Sequence, residues 1–223
     1  MSKYIYFDYS KKWNNYGKVV DLKELNKDEI DSKLHDFSEG SNTLYSLLRY
    51  LYDNNIPTKA CCRGGHLSIK DNDLPGVSAT AYILFSDDNW LHYLSDTILN
   101  NKEIEIYDSS IRYYGIEYDN FFEELLNCFK NKEPVNIDNL KLKLNIPLTQ
   151  EIKDQGYINA LINIGFNENQ IETISNAYFK HKKTNRMIKT NKSIELIEED
   201  QKNYNEYLNI LKEAIEYNNS NCS

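Results

Sequence analysis

The stretch Cys61-Cys62-Arg63-Gly64-Gly65-His66 concentrates the residue types of this 223-residue chain that can do chemistry. Glycines let backbone N–H groups come close to an anion, and an arginine can bind that anion through two hydrogen bonds. His66 can donate a hydrogen bond or transfer a proton near neutral pH. A cysteine beside an arginine can have a lowered pKa, so Cys61 is the candidate nucleophile. The stretch therefore predicts an anion site at Arg63, Gly64, Gly65 and His66, with Cys61 and His66 as catalytic candidates.

The same stretch also has a purely structural interpretation. Cys62 is then a small core residue, the glycine pair ends a strand, and Arg63 and His66 are solvated. Two glycines beside one arginine match neither a P-loop nor a dinucleotide-binding fingerprint. Successive side chains of a strand point to opposite faces, so Cys61 and Cys62 cannot easily bind one metal ion. We predict no metal and no cofactor, and zinc in the purified protein would instead point to Cys62, His66 and Cys128.

A helix and two strands are predicted around this stretch. Four leucines at helical spacing predict a helix over Ser41–Asn54, namely Leu44, Leu47, Leu48 and Leu51. Thr58–Cys62 is predicted as a short strand after Pro57. Turn sequences such as Pro75-Gly76 predict a long loop over residues 63–78, and Ala79–Phe85 is predicted as a buried strand.

The next segment continues this alternation of helices and strands. Ser86 is predicted to cap a helix that ends near Asn101 and buries Leu91, Leu94 and Ile98. Two strands follow over Glu103–Tyr107 and Ile111–Ile116, and in the first of them Ile104 and Ile106 are predicted to face inward and Glu103 and Glu105 outward. Asp119 is predicted to cap another helix with one apolar face. The order predicts an α+β fold, an antiparallel sheet with helices on one side, followed by a small all-helical C-terminal part.

The chain changes character after residue 132. Residues 133–148 are polar, contain two prolines, and are predicted to link an α+β domain (1–132) to a helical domain (149–223). Three helices are predicted in that domain. Thr149 begins the first and Gly165 ends it, Asn167 and Gln170 form a capping pair at the start of the second, and Ser193 caps the third. An apolar stripe along the last helix can pack on the preceding helices, or on a second copy of the chain as a homodimer.

The overall charge of −8 argues against nonspecific binding to duplex nucleic acid and is compatible with a basic protein partner. The dense basic run Lys180–Lys192, which includes Lys182, Lys183 and Arg186, can contact phosphates or pair with the acidic residues of the same chain. An apolar segment long enough to cross a membrane is not found, and the first residues do not resemble a signal peptide. We therefore expect a cytoplasmic protein with reduced thiols and no membrane contact.

These observations lead to two functional hypotheses. The first is a cytosolic, non-enzymatic interaction protein, such as a phage or mobile-element inhibitor of a host defence system that acts on nucleic acids. It rests on the acidic charge, a composition typical of AT-rich genomes, and a helical C-terminal part. The alternative is a hydrolytic domain, or one that binds an anionic ligand or nucleotide, with Cys61–His66 as its functional loop.

Overall fold

The computed structural model of the protein describes residues 5–8, 18–21, 26–70, 74–132, 135–144 and 146–221. Its strands are β1 (Ile5–Asp8), β2 (Lys18–Asp21), β3 (Thr58–Cys62), β4 (His66–Lys70), β5 (Leu74–Ser78), β6 (Ala81–Phe85), β7 (Ile104–Tyr107) and β8 (Ser110–Tyr113). Its helices are α1 (Lys27–Phe37), α2 (Asn42–Asp53), α3 (Asp96–Asn100), α4 (Tyr118–Asn131), α5 (Ile137–Leu144), α6 (Gln150–Ile164), α7 (Glu168–Thr190) and α8 (Ile194–Asn221), with a 3₁₀ helix over Asn89–Tyr93.

The centre of the fold is a four-stranded antiparallel sheet in the order β3-β6-β8-β7. Two further antiparallel pairs stand beside it, β1 with β2 and β4 with β5. The apolar face of the sheet and helices α1 to α4 form a first core, in which the four leucines of α2 are completely buried. The α+β class, the antiparallel sheet and the helical C-terminal part are thus confirmed.

Helix α2 begins and ends where the sequence predicts, because both of its ends have clear signals. The Ser41 hydroxyl accepts a hydrogen bond from the backbone N–H of Leu44, which satisfies one of the N–H groups that a helix start leaves without a partner. Asn54 follows the last turn, and Asn55 takes a left-handed conformation with φ of 58°. Strand β3 then spans the predicted residues, so α2 and β3 bring the functional stretch to one edge of the sheet.

The prediction of a long loop over residues 63–78 is wrong, since residues 66–70 and 74–78 form the paired strands of the β4–β5 hairpin. Pro75 and Gly76 were interpreted as a turn, yet they lie within β5, opposite Ile69 and Ser68. In a two-stranded ribbon both strands are edges, so a proline without an N–H group can be accommodated.

The single helix predicted after Ser86 is also wrong. The chain forms the 3₁₀ helix, passes through Leu94 in an extended conformation, and begins α3 after Ser95. The Ser95 hydroxyl accepts a hydrogen bond from the backbone N–H of Ile98. A serine side chain that bonds to the backbone in this way replaces a helical hydrogen bond and so favours a new helix start over one continuous helix. The predicted buried side chains Leu91, Leu94 and Ile98 are nevertheless all buried.

Helices α6, α7 and α8 enclose a second core, which includes Tyr157, Leu161, Ile174 and Leu211. Gly165 ends α6 with φ of 95°, and Asn167 and Gln170 form a reciprocal capping box at the start of α7, as predicted. The β4–β5 hairpin also contributes to this core through Leu74 and Val77.

The predicted domain boundaries, 1–132 and 149–223 with a linker between them, stay a prediction. Helix α5 lies in the predicted linker and buries Leu140 in the first core.

The outward orientation predicted for Glu105 on β7 needs correction. Glu105 does lie on the face opposite Ile104 and Ile106, yet the residue is only 8% exposed. Lys153 of α6 covers it, with 2.6 Å between Lys153 Nζ and Glu105 Oε1, and Tyr114 donates a hydrogen bond to the same carboxylate.

Among the helices described here, none has the length and apolar character needed to cross a bilayer.

Candidate functional site

The predicted functional stretch leaves β3 through two glycines in left-handed conformation. Gly64 has φ of 71° and Gly65 has φ of 59°, and both are buried beneath the ring of Tyr118. A Cβ atom on Gly65 would lie 2.4 Å from Tyr118 Cε2, so that the ring would have to shift. The Gly65 carbonyl accepts a hydrogen bond of 2.7 Å from Asn163 of α6. These contacts give the glycine pair a packing role in addition to any role in binding.

Cys61 and Cys62 lie in different environments, and this corrects the expectation of a lowered thiol pKa at Cys61. Cys61 packs against the first core and contacts the carbonyl oxygen of Phe37 at 3.5 Å. Burial raises the pKa of Cys61 well above its ordinary value, and the electrostatic influence of the neighbouring Glu39 and Cys62 raises it further. Cys62, a small core residue in the structural interpretation of the stretch, is the thiol that meets His66.

Cys62, His66 and Glu39 form a compact cluster where β3, β4 and the α1–α2 turn meet. The distance from His66 Nε2 to Cys62 Sγ is 3.4 Å, and that to Glu39 Oε2 is 3.2 Å. The other ring nitrogen, Nδ1, lies 2.8 Å from the carbonyl oxygen of Leu67. Since a carbonyl only accepts, Nδ1 carries a proton, and Nε2 is the atom that faces both Glu39 and Cys62.

Backbone groups hold the acidic members of this cluster in place. The N–H of Arg63 donates to Glu39 Oε2 at 2.7 Å, and the N–H of Gly64 donates to Cys62 Sγ at 3.5 Å. Glu39 itself has φ of 51°, an uncommon value for a residue with a side chain. Glu39 was not a predicted site residue, because it lies 23 positions before Cys62 and no local motif connects the two.

The charges in this cluster support one another. Burial alone would lower the pKa of His66, but hydrogen bonds and attraction to Cys62 and Glu39 outweigh it and raise this pKa to about 10. Burial alone would raise the pKa of Glu39, yet His66 and the N–H of Arg63 hold it below its ordinary value. At neutral pH His66 is therefore an imidazolium that bridges Glu39 and Cys62.

A polar cleft of about 610 Å³ opens beside the same loops. Its walls come from the start of α2, from Arg63 and Gly64, and from the start of α4, and its lining residues are Gly40, Ser41, Asn42, Thr43, Arg63, Gly64, Ile116, Glu117, Tyr118, Asp119, Asn120 and Asn163. Within the described part of the chain, two covered donors of the wall have no hydrogen-bond partner, Arg63 Nε and Tyr118 Oη. Of the four predicted ligand-binding residues, Arg63 and Gly64 line this cleft, whereas Gly65 and His66 do not.

The two carboxylates on the cleft wall are already bonded. Asp119 was predicted to cap α4, but that helix begins at Tyr118 after Glu117. Asp119 instead accepts hydrogen bonds from the hydroxyls of Ser41, at 2.8 Å, and Thr43. Glu117 accepts from the side-chain amide of Asn120 at 2.6 Å. The first turn of α4 lacks a side-chain cap and lines the cleft, so the partial positive charge of this helix start lies beside it.

We expect Asn163→Ala to lower the free energy of unfolding by about 1 kcal/mol, because the Gly65 carbonyl loses its donor. Urea unfolding followed by circular dichroism measures this change. Asn209→Ala is the matched control, since Asn209 is exposed on α8 and alanine favours helix. Equal stabilities of the two variants would mean that α6 does not hold the glycine loop.

The predicted interaction residues Lys182, Lys183 and Arg186 lie on α7, and several charges of the basic run have contacts within the protein. Arg186 lies 3.9 Å from Asp154, Lys180 pairs with Glu206 at 2.9 Å, and the Lys182 ammonium lies over the Tyr178 ring. This agrees with pairing to acidic residues of the same chain, while contact with phosphates stays a prediction.

The site thus consists of two adjoining parts that share the α1–α2 turn and the loop after β3. Glu39, Cys62 and His66 bring a carboxylate, a thiol and an imidazole together, and the cleft offers Arg63 and two helix starts to a polar ligand. Comparisons of the chain with protein-family models, with curated proteins and with solved structures found no match.

Proposed function

We propose that the protein binds a small polar ligand through a single anionic group, such as a phosphate monoester, in the cleft beside Arg63. The observation that carries this proposal is that two residues lining that cleft hold covered donors without a partner in the described structure, Arg63 Nε and Tyr118 Oη. A buried donor left unsatisfied costs about 1–3 kcal/mol, and such groups commonly mark a site of ordered water or of an ion.

The size and lining of the cleft support a small polar ligand. Its volume of about 610 Å³ is within the range of roughly 300–1,000 Å³ that small-molecule sites occupy. Hydroxyl, amide and charged side chains dominate the wall, and Ile116 is the one large aliphatic residue among the lining residues described. A mainly hydrophobic ligand would leave these polar groups without partners, which is unfavourable.

The charges around the cleft favour one anionic group over several. Arg63 supplies one positive charge, and the first turns of α2 and α4 add partial positive charge. Glu117 and Asp119 stand on the same wall, and their carboxylates would repel additional negative charges. A monophosphate should therefore bind more tightly than a triphosphate.

A thermal-shift series with inorganic phosphate, AMP, ATP and adenosine tests this proposal on the full chain. At about 100 times its dissociation constant a ligand stabilises the folded state by roughly 2.7 kcal/mol. For a protein of this size that shift is roughly 5–10 °C in melting temperature. We expect phosphate and AMP to stabilise the wild-type protein at lower concentration than ATP, and adenosine to have little effect.

Arg63→Met is the decisive variant, since methionine keeps part of the aliphatic stem and removes the guanidinium. We expect this variant to lose the stabilisation by phosphate and AMP. Lys59→Met removes an exposed cation from the adjoining strand and should respond as the wild type does. The proposal is wrong if phosphate and AMP leave the wild-type melting temperature unchanged, or if Arg63→Met responds to them fully.

The interaction function, with a protein partner and a role as an inhibitor of a host defence system, stays a prediction. It rests on the net charge, the composition and the helical C-terminal part. In the part of the chain described here, the apolar stripe of α8 divides into two portions. Leu208 and Leu211 are buried in the second core, while Ile194 and Ile197 are exposed, so packing within the chain accounts for the first portion and a homodimer stays a prediction.

A further inference from the structure

We propose that Glu39, Cys62 and His66 form a binding site for a zinc ion. A carboxylate oxygen, a thiol sulfur and an imidazole nitrogen of these residues all lie within 4.8 Å of one another. The three residues come from the α1–α2 turn, from the end of β3 and from the start of β4, so the fold itself assembles them. These are the three ligand types that zinc takes in proteins.

Two of the three distances between the ligand atoms match the edges of a zinc tetrahedron, and the third, between Cys62 and Glu39, is at most 4.8 Å. Typical bond lengths to zinc are about 2.3 Å for sulfur and about 2.0–2.2 Å for nitrogen and oxygen, so the edges should be about 3.6 Å between sulfur and nitrogen and about 3.3 Å between nitrogen and oxygen. The observed distances from His66 Nε2 are 3.4 Å to Cys62 Sγ and 3.2 Å to Glu39 Oε2. A zinc ion would need only small adjustments of these side chains.

The surroundings of the three side chains are those of a metal site. Metal-binding histidines commonly donate their second ring N–H to a carbonyl or carboxylate, and His66 Nδ1 has the Leu67 carbonyl at 2.8 Å for this purpose. The backbone N–H groups of Arg63 and Gly64 donate to Glu39 and Cys62, which fixes both ligands and offsets their negative charge. The side chains of Glu39 and His66 are 32% and 16% exposed, so an ion can enter from solvent.

The donor set favours zinc over the common hard cations. Calcium and magnesium prefer six or more oxygen ligands, whereas thiolate and imidazole together favour zinc. Binding requires Cys62 Sγ and His66 Nε2 without their protons, which are released to solvent. Three protein ligands leave a fourth position for water, the arrangement found in catalytic zinc sites.

Three ligands are expected from the sequence in case zinc is found, namely Cys62, His66 and Cys128. The third of them, Cys128, is wrong. Cys128 lies on the buried face of α4, and its sulfur accepts the backbone N–H of Ser95. In the group of ligand atoms found among the described residues, Glu39 takes that place.

Metal titration of the full-length chain tests this proposal. The protein is first treated with a chelator, then dialysed against zinc, and its metal content is measured by elemental analysis. We expect one zinc per chain and a melting temperature that rises with zinc. Cobalt(II) serves as a second probe, because a tetrahedral site with a thiolate gives a sulfur-to-metal charge-transfer band. These measurements need no variant, so a failure to fold cannot obscure them.

Variants identify the ligands. Cys62→Ser and His66→Gln should each weaken zinc binding more than the roughly 10–100-fold that loss of an outer-shell partner causes. Cys61→Ala is the matched control, since it removes the neighbouring thiol from the opposite side of β3 and should retain one zinc per chain. Circular dichroism of each variant verifies its fold. Substoichiometric zinc in the wild type, no charge-transfer band, or full zinc binding by folded Cys62→Ser would overturn the proposal.

Discussion

Gly65→Ala should lower the free energy of unfolding by about 2–5 kcal/mol. Alanine in the left-handed conformation that Gly65 adopts costs about 1–2 kcal/mol. Its Cβ would also lie 2.4 Å from Tyr118 Cε2 and 2.7 Å from Asn163 Nδ2, and such overpacking costs about 1–3 kcal/mol more. Urea unfolding monitored by tyrosine fluorescence and circular dichroism measures the sum.

Gly165→Ala separates the two contributions. Gly165 also has a left-handed backbone, with φ of 95°, but nothing lies within 4 Å of the position of its Cβ. This variant should lose only the roughly 1–2 kcal/mol of the backbone conformation. If both alanine variants lose the same amount, the tight packing of Tyr118 and Asn163 over the glycine loop is wrong.

Lys153→Met should destabilise the protein by about 2–4 kcal/mol at neutral pH. The substitution leaves the Glu105 carboxylate covered by α6 without its cation, and breaking a fully buried pair costs about 3–5 kcal/mol. The expected loss is smaller here because the Lys153 side chain is 32% exposed. The double variant Glu105→Gln with Lys153→Met removes both charges and should recover part of the stability.

The loss caused by Lys153→Met should depend on pH in a defined direction. Burial raises the pKa of Glu105, but the bonds from Lys153 and Tyr114 outweigh it and hold this pKa below its ordinary value of 4.5. A lowered pKa in the folded state stabilises the protein above pH 4.5, and this stabilisation disappears as the pH falls below it. Urea unfolding at pH 7 and at pH 3.5 should thus show a smaller difference between wild type and variant at the lower pH. A constant difference would argue against this ion pair.

Local signals predicted much of the fold. The leucines of α2 repeat at helical spacing, and Ser41 and Asn54 bound the helix within its own sequence, so no tertiary information is needed. The β4–β5 hairpin and the break at Ser95 were missed for the opposite reason. Whether Pro75 is in a turn or in a strand depends on the partner strand, and the choice between one helix and two depends on contacts such as Cys128 with Ser95.

The candidate site was predicted only in its contiguous part. Arg63 and His66 belong to one short stretch whose residue types already suggested a site. The choice between Cys61 and Cys62 depends on which face of β3 covers the core, and adjacent cysteines give no periodicity from which to decide. Glu39 enters through the α1–α2 turn, a contact across 23 positions to Cys62 and 27 to His66 that the sequence pattern does not encode.

The β4–β5 hairpin affects the order in which the chain can fold during synthesis. Leu74 and Val77 emerge from the ribosome early, but the second core that covers them also needs Leu208 and Leu211 of α8. Val77 and Leu208 are 131 positions apart, so this core stays incomplete for about 7–26 seconds at about 5–20 residues per second. During that interval the nascent hairpin presents apolar side chains with an incomplete cover, the kind of surface that chaperones bind.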